Sequence, residues 1–363
     1  MKITFILPYF TRKPVGGYKV VYEYANRLSL RGHEVRIVHP YIMPNRYRWF
    51  PTYRRNFRRH LGEIRDIILK PTSIPWHEIN SDVEMLFPPV LDWRSIPDGD
   101  AIIATAWNTA EFVEECPPSK GQKFYLIQHY ETWAGPKNRV DATWKSDLHK
   151  IVISKWLLDI SKEMGLEDVV YIPNGIDHQK YRIKNPIENR PKKVSMMFSQ
   201  TEWKGGIDGI SALLKVNEQF HDFTAIFFGV GPRNREIPSW VEYIRNPPRD
   251  YLVDHIYNES IIFICPSWFE GWSLPPAEAL ACGCAVVSTD CSGIRDYAFN
   301  MQTALLSPPK DPEKLAQNVL KLLQNDNLRL RLAKAGHEKI LSFNWENSTT
   351  MLEDFLHRYV PKD

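Results

Sequence analysis

The chain has 363 residues, more than one ordinary hydrophobic core organises and enough for two domains. With 43% hydrophobic and 25% charged residues it has a globular composition, and no apolar run approaches the roughly 18 residues of a membrane span. A net charge of +3 is too small to imply a nucleic-acid partner by itself.

The N-terminus "MKITFILPYF" has one Lys before a short apolar run, but Pro8, Tyr9 and "TRKP" follow with no small-residue cleavage site. It is read as a first buried strand and not as a signal peptide. A loop containing Gly16 and Gly17 leads to a helix over about Gly17 to Leu30, with Val20, Val21, Tyr24, Ala25 and Leu28 on one face and Gly32 as its cap. Strands follow at "EVRIV", "AIIATA", "KFYLIQH", "KIVIS" and "VVYIPNGID" (169–177). A second series begins with "KVSMMFS" (193–199) and continues with "TAIFFGVG" (224–231), "IIFIC" (261–265) and "AVVSTD" (285–290). Residues 313–358 read as helical, with a break at "FNW" (343–345). Strands alternating with helices predict an α/β chain of two doubly wound, Rossmann-like halves joined near 174–192, with ligands at the strand carboxyl ends and in the cleft between the halves.

Five cysteines (Cys116, Cys265, Cys282, Cys284, Cys291) form no CxxC pair and no zinc-spaced set with histidines, which points to reduced, buried thiols and a cytoplasmic location. "DGD" at 98–100 precedes a strand and reads as a turn, so no metal site is expected.

The stretch "WFEGWSLPPAEALACG" places seven residues between Glu270 and Glu278. Glu270 follows "IIFIC" in a strand-to-helix loop, and Pro275 and Pro276 suit a helix first turn. That reading puts Glu278 in the opening turn of a short helix ended by Gly283. The unpaired amides of such a helix start suit phosphate, and Glu278 would accept hydrogen bonds from a vicinal diol such as a ribose. Together they look like a grip for a nucleotide diphosphate sugar. Two other readings stand beside it: a glutamate that only stabilises a helix dipole, and a glycosidase acid/base pair.

The longer stretch "CPSWFEGWSLPPAEALACGCAVVSTDCSGIRDYAFNMQTALLSPPKDPEKLA" resembles the donor-binding segment of glycosyltransferase family 4, with its E-x7-E motif. Weaker matches are "GGYKVVYEYANRLSLRGHEVRIV", "YIPNGID" and "FNW". The resemblance implies the GT-B fold and retaining chemistry. It implies an acceptor domain over 1–177, a nucleotide-sugar donor domain over 178–343, and a final helix (about 344–363) crossing back onto the first domain. By similarity, Glu270 would contact the donor sugar hydroxyls, Glu278 the nucleotide ribose, and the amides of Gly271, Trp272, Ser273 and Leu274 the phosphates. Lys204 in "QTEWKGG" matches the family's phosphate-binding Lys. The Arg usual five residues earlier is here Ser199, a departure that removes one cation from the expected diphosphate site. The Gly16–Gly17 loop would lie by the donor phosphate and the acceptor. His129, at the end of "KFYLIQH", matches a His that hydrogen-bonds the donor sugar at the reacting centre. No cofactor is expected beyond the nucleotide diphosphate sugar as co-substrate, and no metal, because Lys204 and the amides would neutralise the leaving diphosphate.

Residues 45–70 hold seven Arg and one Lys against one Glu and one Asp, with Phe57, Leu61, Ile64 and Ile68 at helical spacing. The cluster Arg54, Arg55, Phe57, Arg58 and Arg59 is the candidate surface for an anionic membrane or a lipid-linked acceptor. A peripheral position on the cytoplasmic membrane face follows from it. A packed helix with a solvated Arg face is the alternative. The sequence therefore reads as a transferase of hexosyl or deoxyhexosyl groups to a glycan or lipid-linked glycan. A two-carboxylate hydrolase, a non-catalytic sugar-nucleotide or glycan binder and a nucleotide-sugar epimerase are the rivals.

Overall fold

The computed structural model describes residues 1–48, 65, 68–69 and 74–360. The chain divides into two compact units, Met1–Pro173 with Trp345–Asp363, and Asn174–Asn344.

The first unit is built on a seven-stranded, all-parallel sheet. Its strands are β1 (Lys2–Ile6), β2 (Glu34–Val38), β3 (Glu84–Leu86), β4 (Ala101–Ala104), β5 (Gln122–Ile127), β6 (His149–Val152) and β7 (Val169–Tyr171), in the order β3-β2-β1-β4-β5-β6-β7. Central strands such as β4, "AIIA", are buried at every position, because helices cover both faces of a parallel sheet. Helix α1 (Gly16–Leu30) lays Val20, Val21, Tyr24, Ala25 and Leu28 against this sheet and stops at Gly32, whose φ of +87° is the left-handed value a helix end requires. Helices α2 (Trp107–Glu114), α3 (Lys137–Lys145) and α4 (Lys155–Glu163) complete the crossovers.

The second unit has six parallel strands: β8 (Lys193–Met197), β9 (Thr224–Gly229), β10 (Glu242–Arg245), β11 (Ile262–Cys265), β12 (Ala285–Thr289) and β13 (Ala304–Ser307), ordered β10-β9-β8-β11-β12-β13. Its helices are α5 (Gly206–Gln219), α6 (Leu274–Ala281), α7 (Pro312–Leu323) and α8 (Asp326–Leu341). Both α7 and α8 start on side-chain caps, Asp311 accepting from the Lys314 amide and Asn325 from the Leu328 amide. The core is a continuous apolar layer that includes Val194, Met196, Leu213, Phe227, Ile262, Ile264, Val287 and Leu332.

The last helix, α9 (Trp345–His357), packs in the first unit on α1. Trp345 meets Tyr24 edge-on at 5.4 Å, and both are buried. Arg31 reaches Glu346 at 3.1 Å and Glu353 at 2.8 Å. Burying the tryptophan stabilises this docking by about 2–3 kcal/mol, more than the partly exposed ion pairs add.

In each sheet the strand order reverses beside the first strand of the unit, between β1 and β4 and between β8 and β11. Loops leaving the carboxyl ends of two such neighbours diverge to opposite faces and leave a crevice, where open α/β sheets bind ligands. Short strands β3, β10 and β13 were not legible in the sequence. They have three or four residues and flank the sheets, with charged residues at Glu84, Glu242 and Arg245.

Candidate functional site

The crevice of the second unit is formed by the loops after β8 and β11. After β8 the chain makes a single tight turn, Glu202–Lys204, and passes through Gly205 at φ +61°. A Cβ on Gly205 would stand 1.9 Å from the Pro266 carbonyl oxygen, so only glycine lets this turn press against the loop after β11. That approach puts Lys204 Nζ 2.8 Å from both carboxylate oxygens of Glu270. The Ser267 hydroxyl donates to Glu270 Oε1 at 2.7 Å. Glu270 is only 8% exposed, and its amide donates to the Cys291 carbonyl. Burial alone would lower the lysine pKa, but the charge and hydrogen bonds of Glu270 outweigh it and hold Lys204 above the usual lysine value. The site is therefore a partly exposed lysine and a buried glutamate joined by two hydrogen bonds.

The loop then climbs to α6 through Ser273, a non-glycine residue in the left-handed region (φ 61°, ψ 82°). Such a backbone costs about 1–2 kcal/mol and persists because its surroundings hold it. Tyr297 donates its hydroxyl to the Ser273 carbonyl at 2.6 Å, and Trp272 is buried against Tyr297 and Phe343. The Trp272 indole thus serves packing, so a ligand in this loop would meet residue 272 through its main chain.

Glu278 does not stand in the opening turn of the helix. Leu274 is the first helical residue and the first turn contains no acid, which places Glu278 in the second turn. It is 5% exposed and accepts from the Tyr257 hydroxyl at 3.2 Å. Burial, then the nearby Glu278 charge, push the Tyr257 phenol well above its usual range, so it stays a donor. Pro275 and Pro276 also remove two N–H groups from the helix start, which leaves Ser273 and Leu274 as the amide donors there. Lys204 and Glu270 are thus joined directly, while Glu278 is held by a different element, the π-helical turn Leu252–Tyr257. Ser199, where the resemblance implies an Arg, accepts from the Thr201 amide at 3.2 Å and shapes the turn.

In the first unit, Gly16 and Gly17 are the first two residues of α1, after the loop that leaves β1. His129 does not end its strand: β5 stops at Ile127, and His129 lies two residues beyond. Its ring is flanked edge-on by Trp156 at 5.5 Å and Trp133 at 6.1 Å. Nearby, Glu131 accepts the Trp107 amide at 2.7 Å, at the start of α2, and burial pushes its carboxyl up to about 7 despite that bond. Asp98 is bound by Lys120 at 2.7 Å and Asp100 by the Lys2 amide at 2.6 Å. Arg54, Arg55, Phe57, Arg58 and Arg59 lie outside the described residues.

Sequence reasoning missed Ser267, Tyr257 and Glu131. Ser267 precedes Glu270 by three residues, but a lone serine in a loop gives no signal. Tyr257 and Glu131 owe their roles to partners that only folding brings near. The five cysteines are free and buried. Among the described residues, no helix is long and apolar enough to cross a membrane.

Residues 177–339 match the family model of glycosyl transferases group 1. The chain is similar to the O-antigen chain mannosyltransferase B of Escherichia coli, 30% identical over 112 residues, 31% of this chain and 29% of that relative. It is also similar to the N,N'-diacetylbacillosaminyl-diphospho-undecaprenol alpha-1,3-N-acetylgalactosaminyltransferase of Campylobacter jejuni, 25% identical over 196 residues, 51% of this chain and 50% of that one. The matched stretches thus span at most half the length of these two relatives. The structure is similar to that of the Anabaena HepE protein in complex with UDP-glucose, with a TM-score of 0.73, 14% identity, and coverage of 99% of this chain and 100% of the other. At that identity the likeness shows the fold, GT-B, with its two doubly wound units.

Proposed function

We propose that this chain, whose residues 177–339 belong to the glycosyl transferases group 1 family, is a retaining transferase that moves a hexosyl or deoxyhexosyl group from a nucleotide diphosphate sugar to a glycan or lipid-linked glycan. The observation that carries the reading is the half-buried Lys204–Glu270 pair at the strand-order reversal of the second unit. A donor entering there would meet both charges it needs. The diphosphate would take Lys204 and the amides at the start of α6, and the sugar hydroxyls would take the oxygens of Glu270. Glu278, kept in place by Tyr257, would accept from the ribose diol.

In this scheme transfer proceeds on one face of the sugar. As the bond to the diphosphate breaks, negative charge grows on the leaving oxygen, where the fixed ammonium of Lys204 stabilises it without reorganisation. The leaving oxygen then takes the proton of the acceptor hydroxyl. No metal is needed if Lys204 and the amides carry this charge. His129 would hold the sugar at the reacting centre, and the loop at Gly16 and Gly17 would admit donor phosphate and acceptor. Likeness to a relative named for a diphospho-undecaprenol-linked acceptor supports a lipid-linked acceptor, and with it a peripheral place on the cytoplasmic membrane face for the basic stretch at 45–70. Likeness to a protein solved with UDP-glucose makes a uridine nucleotide the first donor to try.

The test is a calorimetric panel of UDP, GDP, dTDP and ADP, with EDTA and then with magnesium, repeated on Glu278→Ala. One nucleotide should bind in EDTA and lose about 10-fold or more in affinity in the variant, the equivalent of one buried charge-assisted hydrogen bond. Absence of binding by all four would overturn the donor site as drawn. Mass-spectrometric detection of a transferred sugar then separates a transferase from a hydrolase, a binder or an epimerase.

A further inference from the structure

We propose that His33, Glu353 and His357 form a binding site for zinc, which clips the C-terminal helix α9 to the turn between α1 and β2. Glu353 and His357 are four residues apart on α9 and project from the same face. His33 follows the Gly32 turn that ends α1. Its Nε2 lies 2.8 Å from Glu353 Oε1, and the rings of His33 and His357 are 6.2 Å apart. One ligand-type atom from each of the three lies within 4.8 Å of the others. Two imidazoles and one carboxylate are the set zinc takes where water fills a fourth position. Ligand atoms around tetrahedral zinc stand about 3.3 Å apart, so closure needs side-chain movements of up to about 1.5 Å.

A second observation points the same way. His357 Nδ1 is buried from solvent and has no hydrogen-bond partner. Buried polar nitrogens are ordinarily satisfied, and a cation held with His33 and Glu353 would satisfy this ring. Two cations, Arg31 and the Met1 ammonium, already border the trio. Arg31 Nη1 takes Glu353 Oε2 at 2.8 Å, which leaves Oε1 for the metal in place of its bond to His33. The other ring nitrogen of His33, Nδ1, accepts from the Met1 ammonium at 3.2 Å, so zinc on Nε2 would displace the proton that Nε2 shares with Glu353 and leave Nδ1–H facing a neutral Met1 amine. His33 and Glu353 are 320 positions apart in the chain, so no ligand spacing announces the set.

These residues are not part of the loops that carry Lys204 and Glu270, so the metal would act on the docking of α9 and not on the transfer step. The test titrates chelator-treated full-length protein with zinc sulfate by calorimetry at neutral pH, with His357→Gln and His33→Gln alongside. Wild type should bind one equivalent, and each variant should bind at least about 10-fold more weakly. The thermal midpoint should rise with zinc in wild type and much less in the variants. His357→Gln is the cleaner variant, because the Nδ1 it removes bonds to nothing in the protein. Nucleotide affinity should be the same in all three proteins. No zinc uptake by wild type, equal uptake by all three proteins, or an equal response to magnesium, a cation that prefers oxygen ligands, would each overturn the proposal.

Discussion

Removing either member of the Lys204–Glu270 pair should destabilise the protein by stranding a charge of opposite sign, and removing both should damage it less than the two single losses added together. Lys204→Ala leaves Glu270, 8% exposed, with only the Ser267 hydroxyl on its side chain. Stranding a buried charge costs about 3–5 kcal/mol, and the lysine side chain is 29% exposed, so the lower figure applies here. Glu270→Gln keeps an oxygen for Ser267 and strands an ammonium that reaches water, at about 1–2 kcal/mol. The double variant strands neither charge, so it should be more stable than the sum of the singles by about 1–2 kcal/mol. Urea unfolding of the four proteins, compared at equal m-values, measures this coupling. Nucleotide binding adds an independent sign: Lys204→Ala should lose about 10–100-fold in nucleoside diphosphate affinity, the equivalent of one charged hydrogen bond. Glu270→Gln should keep that affinity or tighten it while sugar transfer falls. Additivity within about 0.5 kcal/mol, or equal nucleotide loss in both singles, would refute the reasoning.

Three further outcomes are expected. Gly293→Ala would bring a Cβ to 2.6 Å from the Glu270 carbonyl oxygen and the Gly271 carbonyl carbon, so stability should fall by about 1–3 kcal/mol and donor binding should weaken with it. Ser273→Gly relieves left-handed strain at the start of α6 and should raise the thermal midpoint slightly; unchanged or lower stability would show that residue 273 is not strained. Glu131, held up to about 7 by burial, binds its proton more tightly folded than unfolded. Its contribution is complete below its ordinary value of 4.5 and is lost as pH rises through about 7. Glu131→Gln should remove that loss, so above neutrality it should exceed wild type by up to about 3 kcal/mol, and a parallel pH dependence of the two proteins would contradict the burial argument.

The alternating apolar runs determined the two doubly wound units, because a parallel strand buried on both faces must be apolar throughout and each crossover helix must turn one stripe inward. The same local logic located the loop from Glu270 to Ser273 and the helix after it, since Pro275, Pro276 and Gly283 mark its two ends. The second-turn position of Glu278 escaped that logic: the helix begins at Leu274, and where a helix starts depends on how Ser273 is held by Tyr297 from another loop. The ends of β5 and the strands β3, β10 and β13 escaped it too, since a short edge strand owes its pairing to its neighbour more than to its own residues. Tertiary structure alone brought Lys204 to Glu270, 66 positions away, through the contact of Gly205 with Pro266. It likewise gave Glu278 its Tyr257 and raised Glu131 by burial. Periodicity and turn residues act over a few neighbours and are written in the chain. Desolvation and charge pairing act through space, and only the folded sheet, by reversing its strand order, decides which charges share a crevice.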